Sequence, residues 1–161
     1  MDFAIIAETF QKMESTTKRL ELTSLLVELI KNTPNELISK VVYLLQGILK
    51  PNFEGLELGV AEKLAIRAIV KSSGISIQKV QNEYNVGGDL GEAASSILKL
   101  KTQTTFVTEP ITLERVYETL LKIANLEGKG SQDLKIKYIS SLLNDATPTE
   151  GKFILKILLG I

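Results

Sequence analysis

The sequence contains no cysteine, no histidine and no tryptophan. Without cysteine there are no disulfides, thiolate nucleophiles or sulfur-ligated metals. Without histidine there is no imidazole to act as general acid or base, and the commonest zinc ligand is missing too. A chain lacking cysteine fits an intracellular, cytoplasmic setting. Aromatic residues are scarce, with five Phe and four Tyr among 161 residues. Most fall on apolar faces, so Phe10, Tyr43 and Phe153 are expected in a core rather than on a base-stacking surface. Neither sign of charge is in excess, with 19 Lys plus Arg against 19 Asp plus Glu and no basic or acidic tail. Any nucleic-acid or other anion site must therefore be a local patch. No apolar run reaches membrane-spanning length, and the opening MDFAIIAETFQKM has no cleavable-signal pattern. The most apolar stretch, FILKILLGI, is short, carries Lys156 and stops at Ile161. An apolar helix ending so abruptly looks like a truncation of a larger protein.

What is present is helical periodicity in a length that suits one domain with a full core. The pattern predicts about nine helices, near 2–13, 17–31, 34–48, 60–72, 76–84, 90–100, 112–125, 132–144 and 148–159. Leu22, Leu25, Leu26, Leu29 and Ile30 make one apolar stripe, and Val116, Leu120, Ile123 and Ala124 make another. Thr33-Pro34-Asn35-Glu36 and Thr147-Pro148-Thr149-Glu150 read as capping boxes with proline at the first helical position. Asp89-Leu90-Gly91-Glu92 reads as a third cap, and Gly74 as a helix end. The Thr-rich, β-branched TQTTFVTEPIT at 102–112 predicts at most a short extended ribbon, limited to an edge by Pro110. No strands alternate with helices, so the expected class is all-α.

The two Thr-Pro boxes point to an internal repeat. FQKMES (10–15) matches IANLEG (123–128) in its apolar, Glu and small-residue positions. With one extra residue in the second loop, Leu20, Leu22, Leu25 and Leu29 fall on Leu134, Ile136, Ile139 and Leu143. A unit of helix, tight loop, helix, Thr-Pro-x-Glu and helix thus occurs at both ends of the chain, consistent with a pseudo-twofold duplication; generic helical hairpins share part of that pattern.

The loops of this unit are the candidate sites. In EGKGSQDLKIK, Gly128 and Gly130 let the backbone approach a ligand closely, and Ser131 is placed to cap the next helix. Free amides at a helix start attract phosphate. Lys129 lies in the loop, and Lys135 and Lys137 lie in the first two turns, where cations oppose the helix dipole; an anionic ligand accounts for them better than helix stability does. The plain alternative is a Gly-x-Gly helix connection flanked by solvated lysines. The order of residues is not that of a P-loop, which needs Gly-x4-Gly-Lys-Ser/Thr after a strand. In ESTTKRLE, Thr16 or Thr17 is placed to cap a helix, and Lys18 and Arg19 follow; here too the alternative is an ordinary cap. Two such loops about a twofold match two antiparallel sugar–phosphate strands across a minor groove. Glu57, Glu62, Glu83 and Glu92 share no spacing that makes a catalytic pair, and read as solvated faces.

Five segments together resemble the N-terminal DNA-binding domain of ATP-dependent DNA ligases of the archaeal and eukaryotic type. They are FAIIAETFQKMESTTKRLELTSLLVELI, LELGVAEKLAIRAI at 56–69, GGDLGEAA at 87–94, FVTEPITLERVYETLLKIA at 106–124 and EGKGSQDLKIKYISSLLNDATPTEGKFILKILLGI at 127–161. The resemblance covers nearly the whole chain. It implies a single all-helical domain, 1–161, with a pseudo-twofold repeat, holding nicked duplex DNA through the minor groove in replication, repair and recombination. Carried onto this sequence, Gly128, Lys129, Gly130 and Ser131 would grip one backbone. Thr16, Thr17, Lys18 and Arg19 would lie near the other, with Lys135, Lys137 and Lys152 as supporting phosphate contacts. The family's adenylation signature, Lys-x-Asp-Gly, does not occur here. The adenylation and OB-fold domains would lie beyond Ile161, with ATP and magnesium belonging to them and no cofactor to this chain. The resemblance therefore implies a non-catalytic, monomeric, nucleoid-associated domain whose partners are nicked duplex DNA and the catalytic domains of the same polypeptide. The competing expectation is a helical protein-interaction module that docks partners through exposed Ile154, Leu158 and Leu159.

Overall fold

The structure, a computed structural model, describes residues 1–46, 62–102 and 109–160. Among the described residues there are nine α-helices, and no strand longer than a single bridge. They are α1 (Phe3–Glu14), α2 (Arg19–Lys31), α3 (Ile38–Leu45), α4 (Glu62–Ser73), α5 (Ile77–Gly87), α6 (Leu90–Thr102), α7 (Leu113–Ala124), α8 (Ser131–Asp145) and α9 (Pro148–Leu159), with a 3-10 turn at Asn35–Leu37 before α3. The all-α expectation holds. Most of the 102–112 ribbon, the end of the 34–48 helix, the start of the 60–72 helix and Glu57 lie outside the described residues. What is described of the ribbon is one antiparallel bridge, Asp2 to Thr112. There the Phe3 amide donates to the Ile111 carbonyl at 3.0 Å, and the Leu113 amide to the Met1 carbonyl at 2.8 Å.

The packing is organised around α9. Eight of its twelve residues are buried, including Phe153, Ile154, Leu155, Ile157 and Leu158, so it is apolar nearly all round, as an interior helix must be. α6 and α1 pack on it, α5 packs on α6, and α4 and α7 pack on α8. The α6–α9 crossing is close because Gly91 and Gly151 lie in it: a Cβ on Gly91 would meet the Lys152 carbonyl at 2.9 Å, and one on Gly151 would collide with the Leu98 methyl. Phe10 and Phe153 meet edge to face, 5.5 Å between ring centres, and Tyr43 packs on the same core. The burial of Ile154 (0% exposed) and Leu158 (3%) corrects the expectation that they form an exposed docking face.

The helix starts follow local chemistry, with three departures from expectation. Thr147 and Glu150 form the reciprocal capping box, Glu150 N to Thr147 Oγ1 at 3.2 Å and Thr147 N to Glu150 Oε1 at 2.8 Å. Asp89 Oδ1 accepts from the Gly91 and Glu92 amides at 2.7 and 3.2 Å, while the Glu92 carboxylate turns instead to Lys152. Gly74 ends α4 at φ +71°. The Thr33 box does not form: its buried hydroxyl donates back to the Leu29 carbonyl at 2.7 Å, so Thr33 closes α2 rather than opening α3. The α2 N-cap is Lys18, not Thr16 or Thr17, and the α8 N-cap is Gly130, not Ser131. Among the described residues, no helix is long and apolar enough to cross a membrane.

Candidate nucleic-acid interface

α1 and α7 are both twelve residues long, and their N-cap residues, Asp2 and Thr112, are the two that pair in the bridge. Each helix leads away from that bridge into one of the candidate loops. At 1.5 Å per residue, each loop lies about 18 Å along its helix from the common start.

The first loop is built on hydroxyls. Ser15 Oγ donates to the Lys12 carbonyl at 2.7 Å, closing α1. Thr16 Oγ1 accepts from the Lys18 amide at 3.2 Å and donates to Glu21 Oε2 at 2.6 Å. Thr16 therefore closes a local turn onto the N-cap residue, two positions before it, rather than capping α2. Lys18 reaches Glu21 at 3.6 Å, with both side chains more than half exposed, a contact that solvent makes weak. Lys12, Ser15, Thr16, Lys18, Glu21, Ser24 and Leu25 line an open hollow of about 520 Å³. Thr17, Lys18 and Arg19 are exposed beside it. Glu21 already supplies a negative charge next to this helix start, where the dipole favours one.

The second loop is built on backbone. Gly128 and Gly130 take φ +86° and +84°, the left-handed region that costs other residues strain. Nothing lies within 4 Å of where a Cβ would sit on either, so the loop's outer side is open. The Ser131 amide donates to the Gly128 carbonyl at 3.3 Å, and α8 begins with no side-chain cap. Around this glycine loop Lys129 and Lys137 are exposed and Lys135 is half-buried.

Lys152 stands apart. It is 4% exposed, and its ammonium meets three acceptors: Glu92 Oε1 at 2.6 Å, Glu14 Oε2 at 2.8 Å and Gln11 Oε1 at 2.9 Å. Three donors on three acceptors leave it no proton for a phosphate. One turn on, Lys156 holds Glu14 Oε1 at 2.6 Å and Asp89 Oδ2 at 3.1 Å. The cluster ties α1, the α6 start and α9 together. Burial alone would raise the Glu14 and Asp89 carboxyls and lower the two lysines. The hydrogen bonds and opposite charges outweigh it, so both acids lie below their ordinary range and both lysines above theirs. Sequence reasoning missed this cluster, whose only local signal is the i,i+4 lysine pair on an otherwise apolar helix; its acidic partners lie on distant helices.

Comparison with known proteins adds an independent observation. A family model described as "DNA ligase N terminus" matches residues 2–161. The chain is 72% identical over 160 residues to a DNA ligase of Nitrosopumilus maritimus (strain SCM1) and 59% identical over 160 residues to one of Cenarchaeum symbiosum (strain A), covering 99% of this chain in each case. It is 42% identical over 157 residues, 98% of its length, to "DNA ligase 2" of Korarchaeum cryptofilum (strain OPF8). The chain spans about a quarter of the length of these relatives, 27%, 27% and 26%.

Proposed function

Because the chain belongs to the DNA ligase N-terminus family, we propose that it is a sequence-independent clamp that holds nicked duplex DNA by both phosphate backbones across the minor groove. In this reading it is the N-terminal domain of an ATP-dependent ligase. Adenylation, nick sealing and their ATP and magnesium belong to other domains of the same polypeptide.

The observation that carries the reading is the pair of exposed cationic loops at the far ends of two equal helices that start from one antiparallel bridge. An antiparallel bridge is locally twofold, and so are the backbones of a duplex. Gly128, Lys129, Gly130 and Ser131, supported by Lys135 and Lys137, would take one backbone. Thr16, Thr17, Lys18 and Arg19 would take the other. Lys152, first expected among the phosphate contacts, serves instead as a buried tie. The twofold repeat is part of this proposal.

Phosphate contacts position a protein without reading sequence. Lys129→Ala should therefore weaken binding equally for unrelated duplexes and flatten the dependence of log K on log salt by about one unit. Fluorescence-anisotropy titration of labelled nicked duplexes measures both quantities. Absence of duplex binding at low salt would sink the proposal.

A further inference from the structure

Each candidate loop carries one large apolar side chain in water. Leu20, in the first turn of α2, is 85% exposed, and Leu134, in the first turn of α8, is 42% exposed. These two residues also occupy the same position in the repeat alignment. Their neighbours along that alignment, Leu22 with Ile136, Leu25 with Ile139 and Leu29 with Leu143, all point inward to some degree. Core packing accounts for those three pairs and not for the first. Leu20 lies between Arg19 and Glu21, and Leu134 between Asp133 and Lys135, so each has a cation directly beside it and a carboxylate on its other side.

A cation beside an exposed leucine suits a surface whose charged rim and apolar floor alternate over a few ångströms. The edge of a DNA minor groove is such a surface: phosphate oxygens outside, and the carbon faces of the deoxyriboses within. We propose that Leu20 and Leu134 are dry sugar contacts, one per strand, that seat in the minor groove beside the phosphates and favour deoxyribose over ribose. A ribose 2′-hydroxyl would bring a polar group into that contact with no partner. The proposal rests on the clamp reading above and adds the residues that let the clamp select DNA.

The test compares wild type, Leu20→Ala, Leu134→Ala, Leu20→Met and Lys129→Ala by anisotropy, on a nicked DNA duplex and on the DNA–RNA hybrid of the same sequence, across a salt series. The expected result is a three- to tenfold loss of DNA affinity for each alanine variant (about what uncovering half of a leucine side chain costs). The salt slope should be unchanged, the preference for DNA over hybrid narrowed, and Leu20→Met close to wild type. Leu20 is exposed enough that its replacement leaves folding intact; for the less exposed Leu134, Leu134→Gln and a thermal melt serve as a second check. Alanine variants that bind like wild type, lose affinity only with a flatter slope, or keep the full DNA preference would overturn the inference. If Lys129→Ala still flattens the slope in that case, the clamp survives without its leucines. A wild-type chain that binds neither duplex removes both.

Discussion

At the residue scale, the charges divide into those that face water and those that face each other. Glu21 belongs to the first group and shares the hollow of the first loop with Thr16 and Lys18. It would meet an incoming phosphate as a like charge, so Glu21→Gln should tighten duplex binding by about two- to fivefold, within the range of exposed charge pairs. Anisotropy at fixed salt checks this. Lys152 belongs to the second group, and Lys152→Ala would leave Glu14 facing only Lys156. Removing one partner of a fully buried pair costs about 3–5 kcal/mol; Glu14 and Glu92 are 34% and 53% exposed, so about 2 kcal/mol is expected here once solvent screening is allowed for. Urea denaturation measures it. Glu14 and Asp89 have depressed carboxyls, so their stabilisation is present above the ordinary values of 4.5 and 3.8 and is lost as pH falls through the lower folded values. Lys152 and Lys156 are raised, so theirs is present below 10.5 and is lost as pH rises through the higher folded values. Glu150 opposes the acid limb: burial raises its carboxyl, so it favours the fold as pH falls. The melting temperature should therefore be flat in the middle range and fall at both ends, and the alkaline fall should weaken in Lys152→Met.

At the scale of the element, packing separates helices that look alike in sequence. α2 and α8 would occupy corresponding places in the proposed repeat, yet α2 buries only Leu29 while α8 buries Ile136, Ile139, Ser140, Leu142 and Leu143. Amide exchange should therefore be faster in α2 than in α8 or α9, since few apolar contacts resist its opening. The α6–α9 crossing makes the opposite prediction. Gly151→Ala puts a methyl against Leu98 and should cost about 1–3 kcal/mol by overpacking, read as a lower urea midpoint with unchanged slope. Helix existence was legible in the sequence, because a 3.6-residue period survives without knowledge of neighbours, and so was the Thr147 box, whose partners are three residues apart. The Thr33 box was not, because the same four letters also suit a hydroxyl that closes the preceding helix. Lys152 stood among the phosphate contacts only by family resemblance, and its actual partners, 60 to 141 residues away in the chain, leave no local trace that would have corrected it. Ile154 and Leu158 passed for a docking face because periodicity gives a helix's apolar side, not what covers it.

At the scale of the whole molecule, the proposed clamp would be a neutral chain holding a polyanion. Nineteen positive charges are matched by nineteen negative ones, but Lys152, Lys156 and Arg115 between them hold four carboxylates, Glu14, Asp89, Glu92 and Asp145, one more negative charge than positive. Local cation excess at the two loops is then compatible with zero net charge, and steering from a distance should be weak. The most direct measurement of the central claim is the salt dependence of this chain's affinity for a nicked duplex. If Lys18, Arg19, Lys129, Lys135 and Lys137 meet phosphates, each contributes about −0.9 to the slope of log K against log salt. A slope between about −3 and −5, the same for unrelated sequences, is expected. A slope near zero, or no binding at low salt, would contradict it.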